Sequence, residues 1–410
     1  MVTNAPGTSD RPLRVLFVVD AYPTRRDPCD CVFVQDQALA LSKHAVLGVA
    51  MGRTWSPRQW LRQGCRAQTE TMIDGPGPAV YQTRSFVPTT RWPALLVRGR
   101  CRAIERAART YARRFGGPDV LHAHCAAFAG ETALHVARAR GVPVVITEHY
   151  SFAPQLVAEY GVRLLRVYEE ADAVVAVSRS LADALRAVGV RRRIDVVPNA
   201  VNDAEFSYSP IEPPQDGTWK LLSVARDHDV KDVPTLIEAL GMLAADCRFE
   251  ADIVGPGAHR RARALSVRAG LGGQVRFLGG LSRPELADRM RQSHVVVSSS
   301  RLETFGMSLA EALCLGRPVV ATDSGGPRDI IRPADGRIVP VADPAALANA
   351  IADVLGRYTE FDQVELSESA HRRFGGGVFA RRLLRIYKGA LAASSGEPVT
   401  TTRVLAEHPA

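Results

Sequence analysis

The feature that most constrains this chain is a repeated alternation. Short β-branched apolar runs, each followed by a segment of helical period, form two series separated by NDAEFSYSPIEPPQDGT at 202–218. Apolar runs that short, interleaved with helical patterns, imply parallel strands covered by helices on both faces. The first series is LRVLFVV (13–19), AVLGVAM (45–51), DVLHAH (119–124), VPVVITEH (142–149), AVVAVS (173–178) and RIDVVPN (193–199). The second is KLLSVA (220–225), FEADIVG (249–255), QVRFLG (274–279), HVVVSSS (294–300) and RPVVATD (317–323). A chain of 410 residues, 46% of them hydrophobic, suits two such cores better than one. The expected fold class is α/β, with two Rossmann-like doubly wound domains facing across a cleft.

The proline-rich stretch at 202–218 reads as the linker between domains at 11–201 and 219–377. VFARRLLRIYKGAL has the pattern of a late amphipathic helix, assigned to 378–392, and residues 1–10 and 393–410 read as disordered tails. The first ten residues hold no basic start followed by an apolar run, and no apolar stretch approaches the ~20 residues of a membrane-spanning helix. Seven cysteines, scattered and odd in number, suit reduced thiols better than a disulfide framework. The C-x-C of Cys29 and Cys31 lacks the spacing of a metal or redox pair. A cytoplasmic location is the expectation.

Net charge is +9, with nine arginines against one acidic residue, Glu105, between Arg84 and Arg114. Within that segment Val97, Cys101, Ile104, Ala108, Tyr111 and Phe115 recur at helical spacing, which describes an amphipathic helix with an arginine-rich outer face. The plain reading is a helix packed on its own domain with a solvated basic face. The alternative is a surface that docks on anionic lipid or an anionic acceptor. No basic stripe with interleaved aromatics accompanies the charge, so nucleic acid is not an expected partner.

Open α/β sheets gather ligands beyond the carboxyl ends of their strands, which singles out His122, His124, Thr147, Glu148, His149, Ser178 and Asn199. In the second series the candidate element is ETFGMSLAE at 303–311. A helix beginning near Ser308, with Gly306 freeing the backbone before it, offers N–H groups and a positive dipole end to an anion. Glu303 and Glu311 would lie about 12 Å apart at 1.5 Å per residue, a span that resembles a sugar diphosphate with a second sugar. Phosphates would meet the amides while the two carboxylates accept hydrogen bonds from hydroxyls on either side. Arg226 and Lys231, in SVARDHDVKD beyond the first strand of this series, supply the cations such a diphosphate needs.

These residues resemble a known family. The E-x7-E element (Glu303, Phe305, Gly306, Glu311), the Arg and Lys five apart, IVGPG at 253–257 and GRIVPVADPAALANAI look like the retaining GT-B glycosyltransferases of family 4. YPTRRDPCDCVFVQDQALAL (22–41), DVLHAH, TEH and VVPNAV are similar to that family at the same relative positions, and the likeness covers about residues 13–391. The resemblance implies a GT-B fold and transfer of a sugar, with retention, from a UDP- or GDP-sugar to a glycan, lipid-linked or small-molecule acceptor. Polysaccharide or glycolipid assembly is the expected setting, with no cofactor and no essential metal. It implies that Glu303 holds donor-sugar hydroxyls and Glu311 the nucleotide ribose. Arg226 and Lys231 would grip the phosphates with amides of Phe305, Gly306, Met307, Ser308 and Leu309. His149 would face the sugar, and Cys31, Phe33, His124 and Glu148 would lie on the acceptor side. The late helix would cross back onto the first domain.

Three departures stand out. Cys31 replaces a loop glycine near the diphosphate, Ala225 and Asp232 flank the Arg/Lys pair where glycines are usual, and Asn202 replaces an aspartate. Rival readings are a dinucleotide enzyme, from the partial G-x-G-x-x-G of IVGPGAHR, and a metal-dependent transferase, from Asp227-His228-Asp229. The first lacks its third glycine and its acidic strand end. The second lies between Arg226 and Lys231 and reads as loop polarity. A non-catalytic scaffold or membrane-docking protein is the rival of another class.

Overall fold

The computed structural model describes residues 11–23, 30–62, 71–73, 77–89, 92–150 and 161–395. Cys29, Cys65 and the expected tails at 1–10 and 396–410 lie outside these residues. The first sheet contains β1 (Arg14–Val19), β2 (Val46–Trp55), β3 (Thr71–Ile73), β4 (Ala79–Phe86), β5 (Val120–His124), β6 (Val144–Glu148), β7 (Ala173–Ala176) and β8 (Ile194–Val196). The second contains β9 (Trp219–Val224), β10 (Phe249–Val254), β11 (Val275–Gly279), β12 (Val295–Ser298), β13 (Val319–Thr322) and β14 (Gly336–Val339).

Strand order is β3-β4-β2-β1-β5-β6-β7-β8 in the first sheet and β11-β10-β9-β12-β13-β14 in the second. Every pairing is parallel except the edge pair β3 and β4. The order reverses beside β1 in one sheet and beside β9 in the other, and a crevice opens at such a switch point beyond the strand ends. The α/β doubly wound expectation holds in both halves.

Strands β3, β4 and β14 were not foreseen. β4 carries Gln82, Thr83 and Ser85 buried in its middle, so its composition reads as a loop. Burial is tolerated because partners exist, as Thr83 Oγ1 donates to the Ala103 carbonyl at 2.6 Å. The arginine-rich helix runs Pro93–Phe115 and buries Cys101, Ile104, Ala108 and Tyr111, the face that the spacing marked.

The chain crosses between the halves twice, and the crossings lie side by side. Val201 N–H donates to the Phe374 carbonyl at 2.9 Å, and Val201 bridges Gly375. Asp203 then accepts from Gly376 N–H at 3.1 Å and meets His371 Nδ1 at 3.0 Å. Phe206 is fully buried, so the stretch assigned as a linker is partly core.

The last helix begins at Gly376 and runs to Ser395, two residues earlier and three later than the 378–392 assigned from sequence. Residues 393–395, expected in the tail, continue this helix. Phe379, Ala380, Leu383 and Tyr387 pack with Phe17, Val34, Ala38 and Leu41 of the first half. Tyr387 OH reaches His122 Nδ1 at 2.6 Å on β5. Tyr387→Phe strands that buried nitrogen and should cost about 1–3 kcal/mol, whereas Tyr387→Ala also opens a cavity and should cost about 3–5 kcal/mol. Urea unfolding of the three proteins measures both differences.

Candidate active site

The chain leaves β12 at Ser298 and turns through two serines to Glu303, whose backbone is fixed on both sides. Its N–H donates to the Ser324 carbonyl and its own carbonyl accepts from Gly326 N–H, each at 2.9 Å. Its Oε1 then accepts from Lys231 Nζ at 2.5 Å and from Ser300 Oγ at 2.8 Å. Lys231 arrives on a 3-10 turn, Asp229–Lys231, in the loop after β9. Sequence reasoning gave these two residues separate tasks; the structure joins them in one ion pair.

Gly306 leads into the helix Met307–Cys314 at φ 108°, a left-handed backbone that costs glycine nothing. The helix starts one residue before Ser308. Leu309 N–H donates to the Gly306 carbonyl at 3.0 Å, so this amide, expected among those meeting phosphate, is used within the first turn. Phe305 is buried against Phe374, and Met307 and Ser308 are the partly open residues of the turn.

Glu311 is 1% exposed, and sequence reasoning missed its partner. Arg283 Nη1 donates to Glu311 Oε1 at 2.5 Å, Arg283 Nη2 pairs with Asp36 of the first half, and Arg283 Nε lies 3.4 Å from Glu205. The guanidinium also lies over the Phe206 ring, 4.7 Å from its centroid. Ser282 and Glu285 form a capping box that puts Arg283 at the first helical position. That much is visible in SRPE, but partners 28 and 247 residues away are not. Burial works against the Arg283 charge, yet Glu311 and Asp36 outweigh it and its pKa is raised. Three carboxylates share this one cation. Burial, opposed by Arg283 and reinforced by Glu311 and Glu205, pushes Asp36 up to about 7.

Arg226 is exposed at the end of β9, and its charge acts on the Cys31 thiol of the first half. Burial, with Asp30 nearby, pushes that thiol up to about 12. Cys31 has φ 51° and Asp232 φ 43°, so two of the positions that depart from glycine keep a left-handed backbone. Each costs a side-chain residue about 1–2 kcal/mol. Asp232 offsets this by accepting from Thr235 Oγ1 at 2.8 Å and Arg301 Nε at 2.7 Å. At the third position Ala225 donates to Val254 O at 2.7 Å, while a Cβ on Gly255 would lie 2.1 Å from the Ala225 carbonyl. Asp227 Oδ2 accepts His259 N–H at 2.7 Å, which ties the D-x-D to the glycine loop. Among the described residues no cluster of three His, Cys, Asp or Glu side chains could hold a metal.

Across the cleft, β5 and β6 deliver a row of histidines. His122 uses Nδ1 on Tyr387 and Nε2 on Thr147 Oγ1, the latter at 2.7 Å. His124 Nδ1 meets His149 Nε2 at 3.0 Å, and Phe33 lies against the His149 ring at 4.8 Å. Burial drives His149 down to about 3, and burial with the nearby His149 does the same to His122. Glu148, expected on the acceptor side, is committed elsewhere. Its Oε2 accepts from Ala126 N–H at 3.0 Å and Tyr168 OH at 2.6 Å, and its Oε1 from the His149 and Tyr150 amides at 2.9 and 2.8 Å. With 1% exposure it organises the loop and leaves no oxygen for a substrate. Arg100, on the basic helix, pairs with Asp20 at the end of β1 and lies over Phe128 at 4.2 Å.

The family description Glycosyltransferase Family 4 matches residues 38–205, and Glycosyl transferases group 1 matches residues 206–370. Phosphatidyl-myo-inositol mannosyltransferase of Mycobacterium leprae is 31% identical over 291 residues, 69% of this chain and 76% of that protein. D-inositol 3-phosphate glycosyltransferase 1 of Catenulispora acidiphila is 30% identical over 321 residues, 69% and 75% of the two. Sucrose-phosphate synthase from Thermosynechococcus elongatus superposes with a TM-score of 0.72 at 20% identity, over 93% of this chain and 100% of that one. HepE of Anabaena, in complex with UDP and glucose, gives 0.67 at 19% identity, over 92% and 99%. The two facing parallel-sheet domains are thus a GT-B fold, and the cleft between them is that of a glycosyltransferase. More narrowly, the chain belongs to glycosyltransferase family 4, the group 1 glycosyl transferases.

The Asp36 carboxyl yields a pH signature. Its folded pKa of about 7 lies above the ordinary value, roughly 4, so its contribution to stability is present below pH ~4 and lost as pH rises through about 7. Urea unfolding across that range should show the wild type losing stability relative to Asp36→Asn; a constant difference contradicts the shift. Arg283→Met leaves Glu311 and Asp36 buried without their cation and should cost about 3–5 kcal/mol in the same assay at neutral pH.

Proposed function

We propose that this chain transfers a sugar from a nucleoside-diphosphate sugar to a hydroxyl of a lipid-linked or glycan acceptor, with retention at the anomeric carbon and without a metal ion. The observation that carries this is the Lys231–Glu303 pair, set by backbone bonds beside the helix Met307–Cys314, with Arg226 exposed in the same loop after β9 as Lys231. Arg226, Lys231 and the open amides of that helix take the diphosphate. As its bond to the sugar breaks, negative charge grows on the leaving oxygen, and fixed cations and amides stabilise it. Glu303 accepts from sugar hydroxyls, and Glu311 from the ribose once it shares its carboxylate with Arg283. His149, neutral at physiological pH, faces the sugar from the other half. No side chain is assigned as nucleophile; the departing phosphate oxygen takes the acceptor proton, and the protein positions the partners.

Both UDP- and GDP-sugars are candidate donors, since one structural neighbour is described with UDP and a relative from Mycobacterium tuberculosis, 30% identical over 57% of this chain, is a GDP-mannose-dependent alpha-mannosyltransferase. Donor hydrolysis over a panel of nucleotide sugars identifies the pair that reacts; no turnover with any member counts against the reading. Glu311→Ala should weaken nucleotide binding about 10–100-fold by calorimetry, roughly 1.4–2.7 kcal/mol. Activity should survive excess chelator, and loss restored by manganese would reverse the metal-free assignment.

A second reading concerns where the enzyme works. Leu61 and Phe86 are exposed at 68% and 39% near Arg53, Arg58 and Arg62 around the end of β2, and Trp92, exposed at 66%, starts the basic helix. Apolar tips among arginines suit the cytoplasmic face of an anionic membrane, docked without spanning it. No helix among the described residues is long and apolar enough to cross. Sedimentation with anionic vesicles at low salt, weakened by salt and by Leu61→Ser with Trp92→Ser, is the expected result; equal binding to zwitterionic vesicles contradicts it.

A further inference from the structure

Among the described residues, two buried ring nitrogens at the carboxyl edge of the first sheet have no hydrogen-bond partner: His124 Nε2 and His149 Nδ1. Their opposite nitrogens bond to each other at 3.0 Å, and the rings stack with centroids 5.2 Å apart and planes 11° apart. The two residues stand at the ends of neighbouring parallel strands, with His124 against Phe17 and His149 against Phe33. His122, next in the row, already uses both of its nitrogens.

A neutral imidazole has one N–H and one bare nitrogen. The bond between the rings therefore holds a single hydrogen. If that hydrogen is on His124 Nδ1, then His124 Nε2 is bare, His149 Nε2 accepts, and His149 carries its own hydrogen on Nδ1. If it is on His149 Nε2, then His149 Nδ1 is bare and His124 carries its hydrogen on Nε2. In both arrangements the two rings share one tautomer, and the two outer nitrogens are one donor and one acceptor. Burial, the first cause in each case, lowers the pKa of both histidines, which keeps the rings neutral at physiological pH.

We propose that His124 and His149 act as a coupled pair that binds carbohydrate hydroxyls, with His124 setting the tautomer of His149. A phosphate offers acceptors and an ammonium offers donors, so either leaves one outer nitrogen unmatched. A hydroxyl both donates and accepts, and hydroxyl-bearing ligands satisfy both. His124 is thus a positioning residue, and its task differs from a simple place on the acceptor wall. The ligand half of this proposal rests on reading the cleft as the site of sugar transfer; the tautomer linkage does not.

The test is long-range 1H–15N correlation on the full chain labelled at histidine, near neutral pH. Assignment uses His124→Asn and His149→Asn, or the glutamine variants if either fails to fold. The expected result is the same tautomer, or the same mixture, for both rings. One ring protonated on Nδ1 with the other on Nε2, or either ring charged, overturns the linkage. UDP-glucose and GDP-mannose are then added in turn, with binding followed by calorimetry. A bound sugar nucleotide should shift both rings in step; a shift of one ring alone overturns the linkage, and no shift on binding overturns the hydroxyl assignment. Absence of binding by both counts against the sugar-transfer reading, while the ligand-free spectrum still decides the linkage. In turnover, His124→Asn, whose amide can rebuild the bond to His149, should keep about tenfold more kcat than His124→Ala, while both raise donor KM because each removes the His124 Nε2 contact to a hydroxyl. Equal kcat for the two overturns the positioning role.

Discussion

Parallel pairing is the constraint from which the cleft follows. Strands hydrogen-bonded in parallel bring all their carboxyl ends to one edge of a sheet, and in open sheets of this kind ligands gather in the crevice that opens there where the strand order reverses. Here β5 and β6 set His124 and His149 beside each other, and β9 and β12 set Lys231 and Glu303 within one ion pair. Neither pair is adjacent in sequence. Each is produced by register, and helices on both faces hold that register by burying the strands.

The ion pairs divide into two kinds. Lys231 with Glu303 is partly open, its side chains 22% and 16% exposed, and a ligand can rearrange it. Arg283 with Glu311 and Asp36 is nearly closed, and removing the cation strands two acids away from water. The closed set also links the halves, since Asp36 belongs to the first and Glu311 to the second. Any ligand that drew Glu311 away from Arg283 would therefore act on the contact between domains as well as on its own pocket.

What the sequence made legible was whatever depends on local pattern. The period of the apolar runs gave most strands, the spacing of Cys101, Ile104, Ala108 and Tyr111 gave the buried face of the basic helix, and ETFG marked a helix start to within a residue. Three kinds of feature stayed hidden. β4 was missed because its buried positions are polar and find partners only in the fold. Arg283 was missed because its value lies in distant carboxylates. Glu148 was misjudged because a strand-end acid looks the same whether it faces a substrate or its own loop, and only its four bonds tell which. The departures at Cys31 and Asp232 were visible as letters, but their left-handed backbone was not.

The paired crossings at Val201 and Gly375 limit how the two halves can move. A single tether would let one domain swing and twist freely about a point. Two adjacent segments, bonded to each other and anchored by Asp203 to the start of the last helix, would leave a line instead. Relative motion allowed by such a seam would open and shut about one axis, like the spine of a book, and would bring the histidine wall back to the same alignment with the Lys231 edge.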